Sequence, residues 1–355
     1  MSSSASNSAP HLPTGLSEWP RVSVILPIRN EERFIEQSLH YILGQDYPPA
    51  RFEVLVIDGE STDRTRQIVE KVAAKHANVR FLTNPRRLSS AARAIGAREA
   101  TGEIVTYVDG HVYIDNPHVL KYTAALMHTQ NVSVLSRPQF LHTPHNSRFQ
   151  DAVAWARRSL LGHGLDSTIY MEQDGFVEPG SSGASYRREV FDQVGNFDER
   201  FDACEDVEFN TRVAKAGFRS FTSMKLAVFY YPRETVGGLF RQTRRYGQGR
   251  CRLARKHPST LGVGTLVPFA LISSPALIGL AGLIHASLWL VGGGVIAFYL
   301  LLIVLTSVGI AAKRGWKHLP ALPAIFLVIH VGLGWGFGVE LWQIATGKAV
   351  SFGTR

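Results

Sequence analysis

After its first twenty residues the chain alternates short apolar runs with amphipathic segments. Val22-Ser-Val-Ile-Leu-Pro27 is β-branched and apolar, and reads as a buried strand. Asn30 then offers a helix cap, with Glu31 and Glu32 in a first turn where the helix dipole favours negative charge. Ile35, Leu39 and Ile42 follow at helical spacing and form one apolar stripe. Glu53-Val-Leu-Val-Ile-Asp58 predicts a second strand, and Ser61 a cap for a helix whose Thr65, Ile68, Val69 and Val72 share a face. Val79–Leu82 and Ile104–Val108 predict further strands around an Ala-rich helix over 90–100. This alternation with short connections argues for an α/β fold, a mostly parallel sheet covered by helices. Residues 112–200 carry no clear period. They include Glu178-Pro-Gly-Ser-Ser-Gly-Ala-Ser185, which reads as a loop. A helix is expected after Glu205, with Val207, Thr211, Val213 and Ala214 packed inward.

The last hundred residues have a different pattern. No Asp, Glu, Lys or Arg occurs from Leu261 to Ala312, a run too long for one crossing, since about 20 residues span the hydrocarbon core. It divides near His285 into spans near 262–282 and 287–310, and a third is expected near 322–339. Basic residues flank the first two spans: Arg250, Arg252, Arg255 and Lys256 before, Lys313, Arg314 and Lys317 after. The positive-inside rule puts both flanks in the cytoplasm, and three spans then carry the C-terminal tail to the far side. Gly332, Gly334, Gly336 and Gly338 give spacings that let another helix approach closely, or reflect helix composition alone. His330 is a polar group well inside the third span. Three spans make a poor conduit, which argues against a channel unless copies assemble.

Three regions are therefore expected: a disordered tail over 1–20, a catalytic domain over 21–258 and a transmembrane region over 259–355. The tail has no apolar run that could be a signal-peptide core, which leaves the next domain in the cytosol. The averages of 45% apolar and 19% charged residues blend two unlike pieces. A net charge of +9 favours an anionic partner without choosing among nucleotide, lipid and nucleic acid. Two cysteines without a CxxC pair suggest neither a disulfide framework nor a zinc site.

Candidate chemistry lies where ligands bind such sheets, outside the carboxyl ends of strands. Asp58 ends a strand and can accept hydrogen bonds from a ribose or base, or can simply form a turn. Asp109-Gly-His111 can hold a divalent cation by two side chains pointing the same way, or be a turn beside an exposed histidine. Glu205, Asp206 and Glu208 crowd a helix start, where one carboxylate can act as general base, or all can merely complement the dipole. The basic run from Arg241 through Lys256 suits phosphate recognition, or an anionic lipid surface. No Gly-x-Gly-x-x-Gly turn follows the first strand, which disfavours a dehydrogenase.

Taken in order, Pro27-Ile-Arg-Asn30-Glu31, Asp58, Asp109-Gly-His111, Gly183-Ala184, Glu205-Asp206 and Gln242-Thr-Arg-Arg245-Tyr246 resemble a family 2 glycosyltransferase of the GT-A fold, over roughly residues 21–250. The Asp-Gly-His variant with a membrane tail is most similar to the ExoA-like branch of succinoglycan biosynthesis. The resemblance implies that Pro27, Asn30, Glu31 and Asp58 line a uridine pocket. It implies that Asp109 meets the metal (Mg2+ or Mn2+, with His111) and the diphosphate. Gly183, Ala184 and Glu205 would border acceptor and sugar, Asp206 would be the base of an inverting displacement, and Gln242, Arg245 and Tyr246 would close over the diphosphate. The expected partners are a nucleotide-sugar donor, a lipid-linked saccharide acceptor and the plasma (inner) membrane, with no nucleic acid. Two departures stand out: His111 replaces the usual Asp, and Ala94 replaces an Asn frequent in that segment. They also admit an alternative, a catalytically decayed protein that binds nucleotide-sugar without turning it over.

Overall fold

A computed structural model describes residues 16–143, 146–163, 169–170, 172–181, 183–285 and 287–349. The first half of the chain forms β1 (Val22–Ile28), α1 (Ile35–Leu43), β2 (Phe52–Asp58), α2 (Thr65–Ala73), β3 (Val79–Thr83), α3 (Ser89–Glu99), β4 (Ile104–Tyr107), β5 (Val112–Tyr113), α4 (Val119–Thr129), β6 (Val134–Ser136) and β7 (Gln139–Phe140). There follow α5 (Arg148–Arg158), α6 (Leu160–His163), β8 (Gly175–Val177), β9 (Gly183–Arg187), α7 (Arg188–Val194), α8 (Glu205–Lys215), β10 (Ser220–Thr222) and β11 (Val228–Tyr230). Four long helices close the chain: α9 (Val236–Lys256), α10 (Val263–Ile284), α11 (Ser287–Arg314) and α12 (Leu322–Ala345).

The main sheet has the order β3-β2-β1-β4-β9-β6-β10-β8. Its first four strands are parallel, and β9 then runs antiparallel to both β4 and β6, so the sheet is mixed. Apolar residues on its two faces feed two cores. One gathers Val24, Leu26, Val54 and Val56 under α1 and α4, the other Ile25, Leu55, Ile57 and Val105 under α3 and α8. In β1 and β2 the residues of both faces are buried, which explains their unbroken apolar runs.

Four expectations need correction. Asn30 caps no helix: α1 begins at Ile35, and Asn30 itself is left-handed at φ 55°. Ser61 likewise precedes α2, and both side chains serve the loops at the ends of β1 and β2. The Gly/Ser-rich stretch is only partly loop, because Gly183–Arg187 is a central strand. In α8 the buried face is Glu205, Glu208, Phe209, Asn210 and Val213, while Val207, Thr211 and Ala214 are half-buried. Glu208 misled the apolar count because it is a fully buried charge, held by Arg212, Lys256 and His257.

Of the tail, residues 1–15 lie outside the described residues, but Leu16 and Trp19 pack on the first core, Trp19 against Tyr47. At the other end, α11 and α12 are each long and apolar enough to cross a membrane. A third such helix is present if the halves of α10, bent by 42° beside Pro275, count as one span. The glycines of α12 do admit close neighbours. A Cβ on Gly332 would fall 2.0 Å from Thr243 Oγ1 of α9, and one on Gly334 would fall 2.2 Å from the Pro268 carbonyl of α10.

Candidate active site

The carboxyl ends of β1, β2 and β4 meet at one edge of the sheet. Asp58 ends β2 in register with Ile28 of β1, and is buried. Its carboxylate accepts the backbone N–H of Ser61 at 3.1 Å and the Ser61 hydroxyl. Asn30 completes the turn, since its Oδ1 accepts Thr62 N–H at 2.8 Å and its own N–H donates to Ser61 Oγ at 2.9 Å. Asp58 and Asn30 thus share one turn through Ser61 and Thr62, and Pro27 is half-buried on β1.

After β4 the chain turns through Asp109-Gly110-His111. Gly110 is packed so closely that a Cβ would lie 2.8 Å from Ile28 Cγ2, and Ser38 Oγ holds its carbonyl at 2.9 Å. Glu31 faces His111: its Oε1 is 2.9 Å from His111 Nδ1. Burial lowers the His111 pKa, but the hydrogen bond and charge of Glu31, with Asp109 nearby, more than reverse this and raise it.

Arg93 of α3 joins the motifs. Its Nη2 lies 3.1 Å from Asp109 Oδ1 and its Nε 3.3 Å from Glu205 Oε1, with the guanidinium over the Tyr107 ring. Burial disfavours that charge, yet Asp109, Glu205 and Asp206 outweigh burial and hold Arg93 cationic. Glu205 is itself buried. Burial, then the Asp206 charge, pushes its carboxyl above the usual glutamate value.

Asp206 is the more open of the two acids, and its Oδ1 accepts Val207 N–H at 2.8 Å in the first turn of α8. Gly183 lies behind. A Cβ there would come 2.4 Å from Asn210 Oδ1, and its carbonyl accepts the Tyr186 hydroxyl at 2.7 Å. Ala184 follows it on β9.

From α9, Gln242 Nε2 donates to the Tyr246 hydroxyl at 3.3 Å. Tyr246 keeps an exposed edge, yet desolvation raises its pKa, the adjacent Arg157 of α5 lowers it and Asp206 raises it. Arg245 is turned away to Asp202, with Nη2 3.0 Å from Oδ1. It is not paired with the cluster around Arg93.

Arg93 and Arg157 were missed by the sequence reading. An arginine within the small-residue run Ser-Ser-Ala-Ala-Arg-Ala was the signal for Arg93, because a lone charge on a buried helix needs buried partners. Ala94 is fully buried in the second core, so the departure noted there falls on a packing position.

Among the described residues no three His, Cys, Asp or Glu side chains gather as a metal site. The pair that is present still suits a cation completed by substrate phosphates. Among the described residues Asp109 Oδ2 has no hydrogen-bond partner, and a carboxylate on Nδ1 leaves His111 Nε2 as the ligand atom.

A family model described as "Glycosyl transferase family 2" matches residues 23–195. The succinoglycan biosynthesis protein ExoA of Rhizobium meliloti is 33% identical over 70% of this chain and 74% of its own. A dolichyl N-acetyl-alpha-D-glucosaminyl phosphate 3-beta-D-2,3-diacetamido-2,3-dideoxy-beta-D-glucuronosyltransferase of Methanococcus voltae is 24% identical over 89% of this chain and 95% of its own. Among solved structures, the mannosyltransferase PcManGT of Pyrobaculum calidifontis, in complex with GDP-Man and Mn2+, superposes with a TM-score of 0.57. It is 22% identical and covers 90% of this chain and 88% of its own. With its GT-A sheet, the chain belongs to glycosyl transferase family 2 and is a glycosyltransferase.

Proposed function

We propose that this glycosyltransferase moves a sugar, with inversion, from a nucleoside-diphosphate sugar to a hydroxyl of a lipid-linked saccharide at the membrane surface, in the assembly of a cell-surface polysaccharide. The observation that carries this reading is Arg93, which gathers Asp109 from the end of β4 and Glu205 from the start of α8 around one guanidinium. On this reading the donor-side and acceptor-side motifs meet at one guanidinium.

The nucleoside, a uridine on the family pattern, rests against Pro27, Asn30 and Asp58, where two loops are pinned by Ser61 and Thr62. The diphosphate lies toward Asp109, with Gln242 and Tyr246 approaching from α9. Asp206 takes the proton from the acceptor hydroxyl as its oxygen attacks the anomeric carbon, and the nucleoside diphosphate leaves from the opposite face. Gly183 and Ala184 floor the acceptor side, and Glu205 fixes Arg93 there. A divalent ion held by Asp109 and His111 would neutralise diphosphate oxygens and ease departure of the leaving group. Arg245 reaches that group only after release from Asp202.

Several relatives favour this chemistry. PcManGT carries GDP-Man and Mn2+, the M. voltae relative is named for a dolichyl phosphate-linked substrate, and the R. meliloti relative for succinoglycan biosynthesis. Two apolar helices, or three, suit an anchor in the plasma membrane with the catalytic face on the cytoplasmic side. One observation favours the decayed-binder reading: Arg93 already occupies one oxygen of Asp109.

The deciding experiment is transfer from a panel of labelled UDP- and GDP-sugars to membrane lipid extract, by wild type, Asp206→Asn, and wild type with EDTA. Transfer that disappears in both controls supports the reading and names the donor. Donor binding without transfer by wild type would leave the decayed binder, and full activity of Asp206→Asn removes that residue as base.

A further inference from the structure

The last helix, α12, does not stand free as a crossing helix does. From Leu239 to Arg252, about 20 Å of helix, α9 runs parallel to it in direct contact. Leu239 packs with Ile325 and Ile329, and Thr243 Oγ1 lies 3.5 Å from the Val328 carbonyl. A Cβ on Gly336 would lie 1.9 Å from the Arg244 carbonyl, and one on Gly247 would lie 2.0 Å from that of Leu333. Arg252 Nε lies 2.8 Å from Glu340 Oε1, with Glu340 buried and Arg252 half-buried.

This stretch of α9 carries Arg241, Arg244, Arg245, Arg250 and Arg252. If α12 crossed the hydrocarbon core in this packing, α9 would be drawn in beside it. Each arginine at mid-depth costs at least about 2.5–3.5 kcal/mol, so that placement is strongly opposed. Other soluble elements hold α12 too: Ala152, Val153 and Ala156 of α5 pack on Leu322, Ile325 and Phe326, and the Leu161 carbonyl lies 2.8 Å from His330 Nε2.

One face of α12 remains. Ala324, Leu327, Val331, Trp335 and Trp342 are exposed at helical spacing and are all apolar. The stripe ends in tryptophans, the residue enriched at membrane–water boundaries. Exposed Lys313, Arg314, Trp316 and Lys317 precede it. On the adjoining sides lie α10, whose Phe269 ring is 5.3 Å from that of Phe337, and the middle of α11, whose Ile303 joins Ile325 and Ile329 and whose Tyr299 hydroxyl lies 2.8 Å from His330 Nδ1; the outer face of α11 exposes Leu290, Phe298 and Leu305 as a lipid-facing helix does.

We propose that α12 lies in the membrane interface, with its Leu327–Val331–Trp335–Trp342 face in the acyl–headgroup boundary of an anionic bilayer. On this arrangement only the α10–α11 hairpin crosses, and the chain end returns to the side of the catalytic unit. An interfacial helix commonly needs a polar face toward water, but here α9 and α5 cover that face. The helix bearing Gln242, Arg245 and Tyr246 then stands one helix layer, about 8–10 Å, above the lipid-facing helix. That is a short reach for a lipid-linked acceptor, a consequence that rests on the proposed function, whereas the placement itself does not.

The test uses the full chain in native membranes with single cysteines at Lys75→Cys just after α2, His285→Cys at the hairpin turn and Lys348→Cys beyond α12; the native Cys204 and Cys251 are buried. A membrane-impermeant maleimide is applied to sealed right-side-out and inverted vesicles. The expected result is that position 348 labels with position 75, and position 285 labels from the opposite side. Labelling of 348 with 285, of all three from one side, or of 348 only after detergent each overturns the proposal. In reconstituted bilayers, the fluorescence lost in Trp335→Phe/Trp342→Phe should be the part quenched by shallowly brominated lipids. Quenching of that part by deep bromines alone, or by neither, counts equally against it.

Discussion

Arg93 Nη2 stands 3.1 Å from Asp109 Oδ1, so the acid expected to face the donor diphosphate is held by a protein cation before any ligand arrives. The fork geometry lets Nε serve Glu205 at the same time. Lysine, a point charge with one ammonium group, cannot hold both carboxylates in that geometry. Arg93→Lys should therefore fold, with a small change in thermal midpoint, yet lose about 10²–10³ in kcat/KM for sugar transfer, the scale found when one preorganised electrostatic group is removed. Unchanged kinetics in the lysine variant would show that the pairing is structural only.

The two acids that open α8 have different environments, and their variants should separate. Asp206 is half-exposed, whereas Glu205 is buried with its pKa raised by burial and by Asp206. Asp206→Asn should lower kcat by about a hundredfold or more, as loss of a general base does. Glu205→Gln keeps the shape and removes a charge that burial already disfavours. Its kcat should fall by about tenfold or less, with the larger change in substrate KM. Single-turnover measurements on both variants check this, and a reversed order of severity would move the base to Glu205.

The strands were legible because β1, β2 and β4 are mostly apolar runs, and β2 and β4 lead into Asp58 and Asp109. Asp58, Asp109 and Asp206 stood out as charges at element boundaries. Arg93 did not, because a buried arginine is explained by partners that lie 16 and 112 residues away in sequence. Glu208 was hidden for the same reason: periodicity counts it as a surface charge, while the fold surrounds it with Arg212, Lys256 and His257. Strand β9 was obscured by Gly183, on which Asn210 of α8 packs directly, and by Ser185, whose Oγ meets Thr106 Oγ1 inside the sheet. The partner of the α12 glycines was equally out of reach, since composition cannot say that a charged helix ninety residues earlier fills the groove.

Stability should have a carboxylate-dependent acid limb. Burial acts to raise Glu208 and Glu53, but Arg212, Lys256 and His257 for the first, and Thr101, Ser23 and Arg80 for the second, outweigh it and lower both. Asp198, on Arg200 and Lys256, is depressed as well. A carboxylate whose folded pKa is depressed stabilises fully above its unfolded value, and that stability is lost as pH falls through the folded value. The thermal midpoint in detergent should thus fall once pH drops below the ordinary glutamate value of 4.5. Glu208→Ala leaves Arg212 and Lys256 without their buried partner. It should cost about 3–5 kcal/mol at neutral pH, with the gap to wild type closing in acid. A gap that stays constant with pH would mean packing, not charge, is what Glu208 supplies.

The seam between α9 and α12 makes a sharper demand on side-chain size than on chemistry. A methyl on Gly336 would meet the Arg244 carbonyl at 1.9 Å, and a backbone atom cannot rotate aside as a side chain does. Gly336→Ala must push the helices apart, breaking the register that puts Arg252 on Glu340, and overpacking of this kind costs about 1–3 kcal/mol. Gly293, on α11, has nothing within 4 Å of the same added atom. Gly293→Ala should be neutral or slightly stabilising, since alanine has the better helix propensity. The thermal midpoints of both variants in mild detergent, with limited proteolysis between α11 and α12, make the comparison. A Gly336→Ala protein as stable and as protease-resistant as Gly293→Ala would mean that the two helices do not pack through this glycine.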